Sequence, residues 1–103
     1  MVTTFSIATL DGAHIGFLLI TRDDAQQESG GLMIKVQVAD PEVSHRPEVR
    51  ALARSAQAYF VWRLEDALLN IYDDHGEETA QIQGEYLQYC GYTYSLNELV
   101  GVW

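Results

Sequence analysis

An α+β fold is what the sequence predicts: a three-stranded antiparallel meander over roughly residues 2–10, 13–21 and 32–39, then one long helix, then a short two-helix C-terminal unit. Three observations carry that expectation. Period-two alternation of apolar and polar residues is confined to the N-terminal part of the chain. A stripe of apolar residues at helical spacing runs from Val49 to Ile71. Helix signals continue beyond it, so strands and helices are segregated along the sequence. With 103 residues, 48% hydrophobic and 20% charged, residues 1–103 form a single domain large enough to bury a core without staples.

The first strand is marked by Phe5, Ile7 and Thr9 alternating with Thr4, Ser6 and Ala8. Asp11-Gly12 supplies a two-residue hairpin turn, where glycine accepts a positive φ. Ala13–Thr21 is the return strand. Its run Ile15–Ile20 suits burial on both faces, and Gly16 marks a bulge or a close approach. Arg22–Gly31 is a polar loop, expected to lie outside the core. Leu32, Ile34, Val36 and Val38 then alternate with Met33, Lys35 and Gln37 to give the third strand.

Asp40-Pro41-Glu42 and Arg46-Pro47-Glu48 are both helix starts, with proline in the first turn and acids at the positive end of the dipole. Val49, Leu52, Ala53, Ala56, Phe60, Leu64, Ala67, Leu68 and Ile71 form the stripe, and Gly76 is the stop. Unbroken from Pro47 to Asp73, this helix is about 40 Å long. That exceeds the diameter of roughly 33 Å expected of a compact domain this size. A second apolar strip, Ala51, Ala58, Val61, Trp62, Leu69 and Tyr72, lies on the opposite side and needs its own cover. The C-terminal unit or a second subunit provides it, and in the latter case Val61, Trp62, Leu69 and Tyr72 are the candidate oligomer interface. Residues 78–90 read as a weaker helix, interrupted by Gly84. Ser95-Leu96-Asn97-Glu98 is a capping box, flanked by Tyr94 and Leu99 as a hydrophobic staple, and opens a last helix over Leu96–Val100.

Charge is the feature that points to function. The chain carries fifteen acids against six bases, a formal net charge of −9, which counts against direct binding to nucleic acid or to an anionic membrane. The imbalance is local. Beyond Arg63 there are eight acids and no base, and seven of them, Glu65, Asp66, Asp73, Asp74, Glu77, Glu78 and Glu85, fall between positions 65 and 85. Tyr72, Tyr86, Tyr89, Tyr92 and Tyr94 are interleaved with them. Carboxylates pair with Arg and Lys, and tyrosine rings stack on guanidinium planes, so this mixture suits a basic protein groove.

Other chemistries fit less well. Asp73-Asp74-His75-Gly76-Glu77-Glu78 holds five potential metal ligands but lacks the spacing of a calcium loop, and no metal is expected. Gly91–Val100 superficially resembles a helix-turn-helix but carries no cation for phosphate. His14 and His45 have no paired-histidine spacing, and Cys90 on an apolar side is a core residue rather than a nucleophile. No phosphate loop, dinucleotide fingerprint or nucleophile elbow is present. One cysteine rules out an internal disulfide and fits a reducing compartment. Without a basic leader or a long apolar run, a cytoplasmic location is expected.

The expectation is therefore a non-catalytic acidic binding protein, without cofactor. It would occupy and block a basic groove on a partner that handles nucleic acid. Anti-CRISPR proteins of phage and immunity proteins against nucleases have this size and charge. Glu65, Asp66, Asp73, Asp74, Glu77, Glu78, Glu85, Tyr86 and Tyr89 are the candidate contact residues. The alternative is a homo-oligomeric accessory subunit, a homodimer at its simplest, built on the second strip of the long helix.

Overall fold

A computed structural model describes residues 2–21, 29–54, 60–66 and 68–99. Among these, eight strands follow one another around a closed antiparallel barrel. They are β1 (Val2–Ala8), β2 (His14–Thr21), β3 (Ser29–Val36), β4 (Phe60–Glu65), β5 (Leu68–Tyr72), β6 (Glu78–Gln83), β7 (Tyr86–Tyr89) and β8 (Tyr92–Leu99). Two short helices, α1 (Pro41–Ser44) and α2 (Pro47–Ala53), lie between β3 and β4. Each strand pairs with its neighbour in sequence. β1 also pairs with β8, from Thr4↔Leu99 to Ala8↔Ser95, and so closes the sheet. Closure removes the exposed edges through which open sheets aggregate.

Register and alternation send one face of every strand inward. Ile7 of β1 stands opposite Gly16 of β2 and Leu96 of β8, and Leu18 stands opposite Ile34. Trp62 of β4 stands opposite Gly30 and Ile71, and Leu87 opposite Ile82 and Tyr94. These inward side chains, with Leu32, Phe60 and Ala80, are buried and form one continuous cluster. Val49 and Leu52 of α2 join it, so the helix plugs one end of the barrel. Eight strands leave an interior just wide enough for side chains, and here side chains fill it. Outward positions such as Lys35, Arg63, Gln81, Gln88 and Ser95 are polar. Phe17, Leu19, Met33 and Val61 alternate onto the same outer wall, so it is mixed rather than uniformly polar. Among the described residues no helix is long and apolar enough to cross a membrane.

The closed barrel overturns the α+β expectation. The three N-terminal strands lie close to where alternation puts them, with β3 starting at Ser29 rather than Leu32. The two helix starts are also real, but α2 ends at Ala53. Phe60–Glu65 and Leu68–Tyr72, expected to continue a helix to Asp73, pair as the antiparallel strands β4 and β5, with Asp66 at φ 51° after β4. The second apolar strip does not exist as a helix face. Trp62 is fully buried in the barrel core and Leu69 packs against it, while Val61 and Tyr72 are half-buried on the outer wall. The oligomer interface proposed for these four residues therefore loses its basis. Residues 78–90 are the β6–β7 hairpin, turning at Gly84 (φ 61°), and the expected last helix is β8. Of the polar loop expected over Arg22–Gly31, residues 22–28 lie outside the described residues.

Candidate functional site

In an up-and-down barrel, successive turns open at alternate ends. The β1–β2, β5–β6 and β7–β8 turns share one end with α1 and α2. The β4–β5 and β6–β7 turns share the other. This topology divides the acidic residues. Asp73, Asp74 and Glu77 stand in the β5–β6 turn and Glu78 opens β6, all at the helix-bearing end, where Tyr89 closes β7. Glu65 and Asp66 lie at the β4–β5 turn and Glu85 at the β6–β7 turn, with Tyr86 opening β7, all toward the other end. One linear run of charge becomes two separate groups.

The β5–β6 turn is internally braced. The Asp73 carboxylate accepts from the backbone N–H groups of His75 and Glu77, each at 2.9 Å. The Asp73 N–H donates to the Glu77 carbonyl at 2.9 Å, and Gly76 takes φ 81°. Asp73 is thus occupied in holding the turn, and the outward charges are Asp74, Glu77 and Glu78, all exposed. Glu78 also accepts from Gln81 Nε2 at 2.8 Å. From Glu78 a groove of about 420 Å³ runs along the outer wall past Gln81, Gln88 and Thr93 to Tyr92. At the other end, Glu65 accepts from the Tyr72 hydroxyl at 3.1 Å while the Arg63 guanidinium sits 5.2 Å from the Tyr72 ring centre. Desolvation first, then the Glu65 carboxylate, holds the Tyr72 hydroxyl above the usual tyrosine range.

A capping bond starts α1, and two further contacts fix the helices over their end of the barrel. Asp40 caps α1, accepting from the Glu42 N–H at 2.9 Å, and Pro41 follows in the first turn. Arg46 reaches the carboxylate of Asp11 in the β1–β2 turn, at 3.0 and 2.9 Å. The Thr9 hydroxyl also donates to Asp11. This bond first, and Arg46 second, hold the Asp11 carboxyl below its ordinary range. The third contact is buried: the Tyr94 hydroxyl of β8 donates to the Glu48 carbonyl of α2.

Tyr94 gives a prediction with a definite sign. Burial pushes its hydroxyl far above the ordinary tyrosine range. An unfolded tyrosine ionises near about 10, so the unfolded chain gains anion there while the folded one does not. The stability Tyr94 contributes is complete below that pH and is lost as pH rises beyond it. Denaturant unfolding at neutral and alkaline pH checks this: the alkaline loss is larger for the natural chain than for Tyr94→Phe. At neutral pH, Tyr94→Phe removes one hydrogen bond to a carbonyl that α2 also uses and costs about 0.5–1.5 kcal/mol.

Among the described residues no group of three or more His, Cys, Asp and Glu side chains could hold a metal ion. Cys90, expected in a core, is instead exposed in the β7–β8 turn, at φ 52° beside Gly91 at φ 81°. The turn takes two successive positive φ values; Gly91 suits the second, while cysteine is not a residue favoured at the first.

Residues 2–103 match the family described as HLGFF-containing, Neisseriales, and the chain belongs to that family. Neither a curated protein nor a solved structure matches it. At the start of β2, local packing is tight. The His14 and Phe17 rings meet edge to face, 4.9 Å between centres, and Gly16 lies against the backbone of Lys35. Nothing in the fold or the family supports the inhibitor, anti-CRISPR or phage expectation, and it is not carried further.

Proposed function

We propose that the protein is a non-catalytic binding barrel whose braced β5–β6 turn engages a basic surface of a partner protein through Asp74, Glu77 and Glu78. The observation that carries this reading is the bracing itself. Asp73 fixes the turn from within, so three exposed carboxylates are presented with little ordering cost on binding. The groove beyond Glu78, lined by the amides of Gln81 and Gln88, offers acceptors to a Lys or Arg side chain lying along the wall. Side chains fill the barrel interior, so recognition falls to the outer surface and the ends.

Two charge reversals test the proposal. Asp74→Lys/Glu77→Lys/Glu78→Lys is expected to abolish capture of a partner from cells that express the protein. Glu65→Lys/Asp66→Lys/Glu85→Lys, at the other end, is expected to preserve it. The captured complex should also release in high salt, because the Debye length falls from about 10 Å at 0.1 M to about 3 Å at 1 M. Equal capture by both triple variants, or capture indifferent to salt, counts against the acidic turn. Asp73 is left unchanged because its substitution would also release the turn.

A further inference from the structure

The same end of the barrel carries a site of opposite charge. Arg46, Arg50 and Arg54 recur at one-turn intervals from the N-cap of α2 to its C-cap. Arg46 is neutralised by Asp11 at 2.9 Å. Arg50 and Arg54 are exposed and make no ion pair among the described residues. Like charges four residues apart on a helix repel. The negative end of the helix dipole accounts for a cation at this place, but not for what stands opposite. The β7–β8 turn brings Tyr89, Cys90 and Tyr92 across from the two arginines, and His45 borders the same cleft. Its volume is about 420 Å³, within the range of roughly 300–1,000 Å³ common to small-molecule sites. No carboxylate is among its described lining residues, in a chain with fifteen acids.

The walls are held in place. The Tyr94–Glu48 hydrogen bond ties α2 to β8, and Tyr89 pairs with Tyr92 across the turn. His45 Nδ1 is fixed on the Pro41 carbonyl at 2.6 Å. A guanidinium fork matches the oxygens of a phosphate, and an exposed tyrosine ring offers a stacking face. We infer that this cleft binds a small phosphorylated molecule with a flat ring, its phosphate on Arg50 and Arg54 and its ring against Tyr92. None of the three outward carboxylates of the β5–β6 turn lines the cleft, so the inference does not depend on them, although Tyr92 borders both the cleft and the groove beyond Glu78.

Adenosine 5′-monophosphate, inorganic phosphate and adenosine are the probes, titrated calorimetrically into the full chain. Cys90, the chain's single cysteine and exposed in the cleft, serves as a local reporter through its rate of maleimide labelling. The monophosphate is expected to bind about tenfold or more tighter than either adenosine or inorganic phosphate, and to slow Cys90 labelling. Arg50→Gln and Arg54→Gln should each weaken it about tenfold with an unchanged circular dichroism spectrum. Lys35→Gln removes an exposed cation from β3 and should leave binding unaltered. Several outcomes overturn the inference: no binding of the monophosphate at millimolar concentration, adenosine or inorganic phosphate binding as tightly, a loss from Lys35→Gln equal to that from the arginines, or binding that leaves Cys90 labelling unchanged.

Discussion

Gly16→Ala is expected to unfold the protein or to cost it about 3 kcal/mol or more, although it adds a single methyl group. A Cβ at Gly16 would stand 2.1 Å from the Lys35 carbonyl oxygen and 3.1 Å from the Val36 Cα. Both belong to the backbone of β3, which cannot give way without breaking the β2–β3 ladder. Gly30→Ala meets the same obstacle, with the Thr21 carbonyl oxygen at 2.3 Å and the Trp62 indole nitrogen at 2.8 Å. The comparison that isolates the cause is Gly84→Ala. Gly84 takes φ 61° but has open space around its Cβ position, so the substitution carries backbone strain alone, about 1–2 kcal/mol. Denaturant midpoints for the three variants should separate Gly16 and Gly30 from Gly84. Equal midpoints would mean that the close approach of β2 to β3 is not as described.

Trp62→Ala should cost about 3–5 kcal/mol, the range for emptying a fully buried aromatic site. Trp62 is wholly buried, and its Nε1 donates to the Thr21 carbonyl at 3.3 Å. It faces Gly30 across the β3–β4 pair, and the missing side chain there is what lets the indole lie against the strand. A loss of that size is a large part of the roughly 5–15 kcal/mol that holds a domain together. At roughly 4–8 °C per kcal/mol for a chain of about this length, it should lower the thermal midpoint by tens of degrees. Trp62→Phe keeps the ring and should cost less. A midpoint unmoved by Trp62→Ala would show that this side chain is not in the core.

Why the first three strands were legible and the remaining five were not has a physical explanation. In Ile34–Val38 only the even positions are apolar, a pattern no helix shares. Phe60, Leu64 and Leu68 are spaced by four, and four is both a helical repeat and an even number. Those residues therefore satisfy either period. The deciding residue is Trp62, two positions from Phe60: on a strand the two share a face, and on a helix they point apart. A helix apolar on opposite sides was the warning that the period was wrong. Gly76, Gly84 and Gly91 offered a second sign. Read one at a time they look like helix stops, but together they recur every seven or eight residues, with positive φ at each, as hairpin turns do. The acidic residues were visible in the sequence, but their grouping was not, because a meander sends alternate turns to opposite ends. The Arg50–Arg54 cleft was beyond reach, since Tyr92 joins it from a distant strand only through barrel closure.

Closure between the first and last strands is thus the claim on which the rest depends. It encloses Trp62 and brings Tyr92 to α2. Nuclear Overhauser measurements on the full chain test it directly. Backbone contacts linking Ile7 with Leu96 and Ala8 with Ser95 are expected, together with extended chemical shifts over residues 60–65 and 68–72. Helical shifts across residues 60–72, with no contact between the two terminal strands, would contradict the barrel and the placement of both proposed sites.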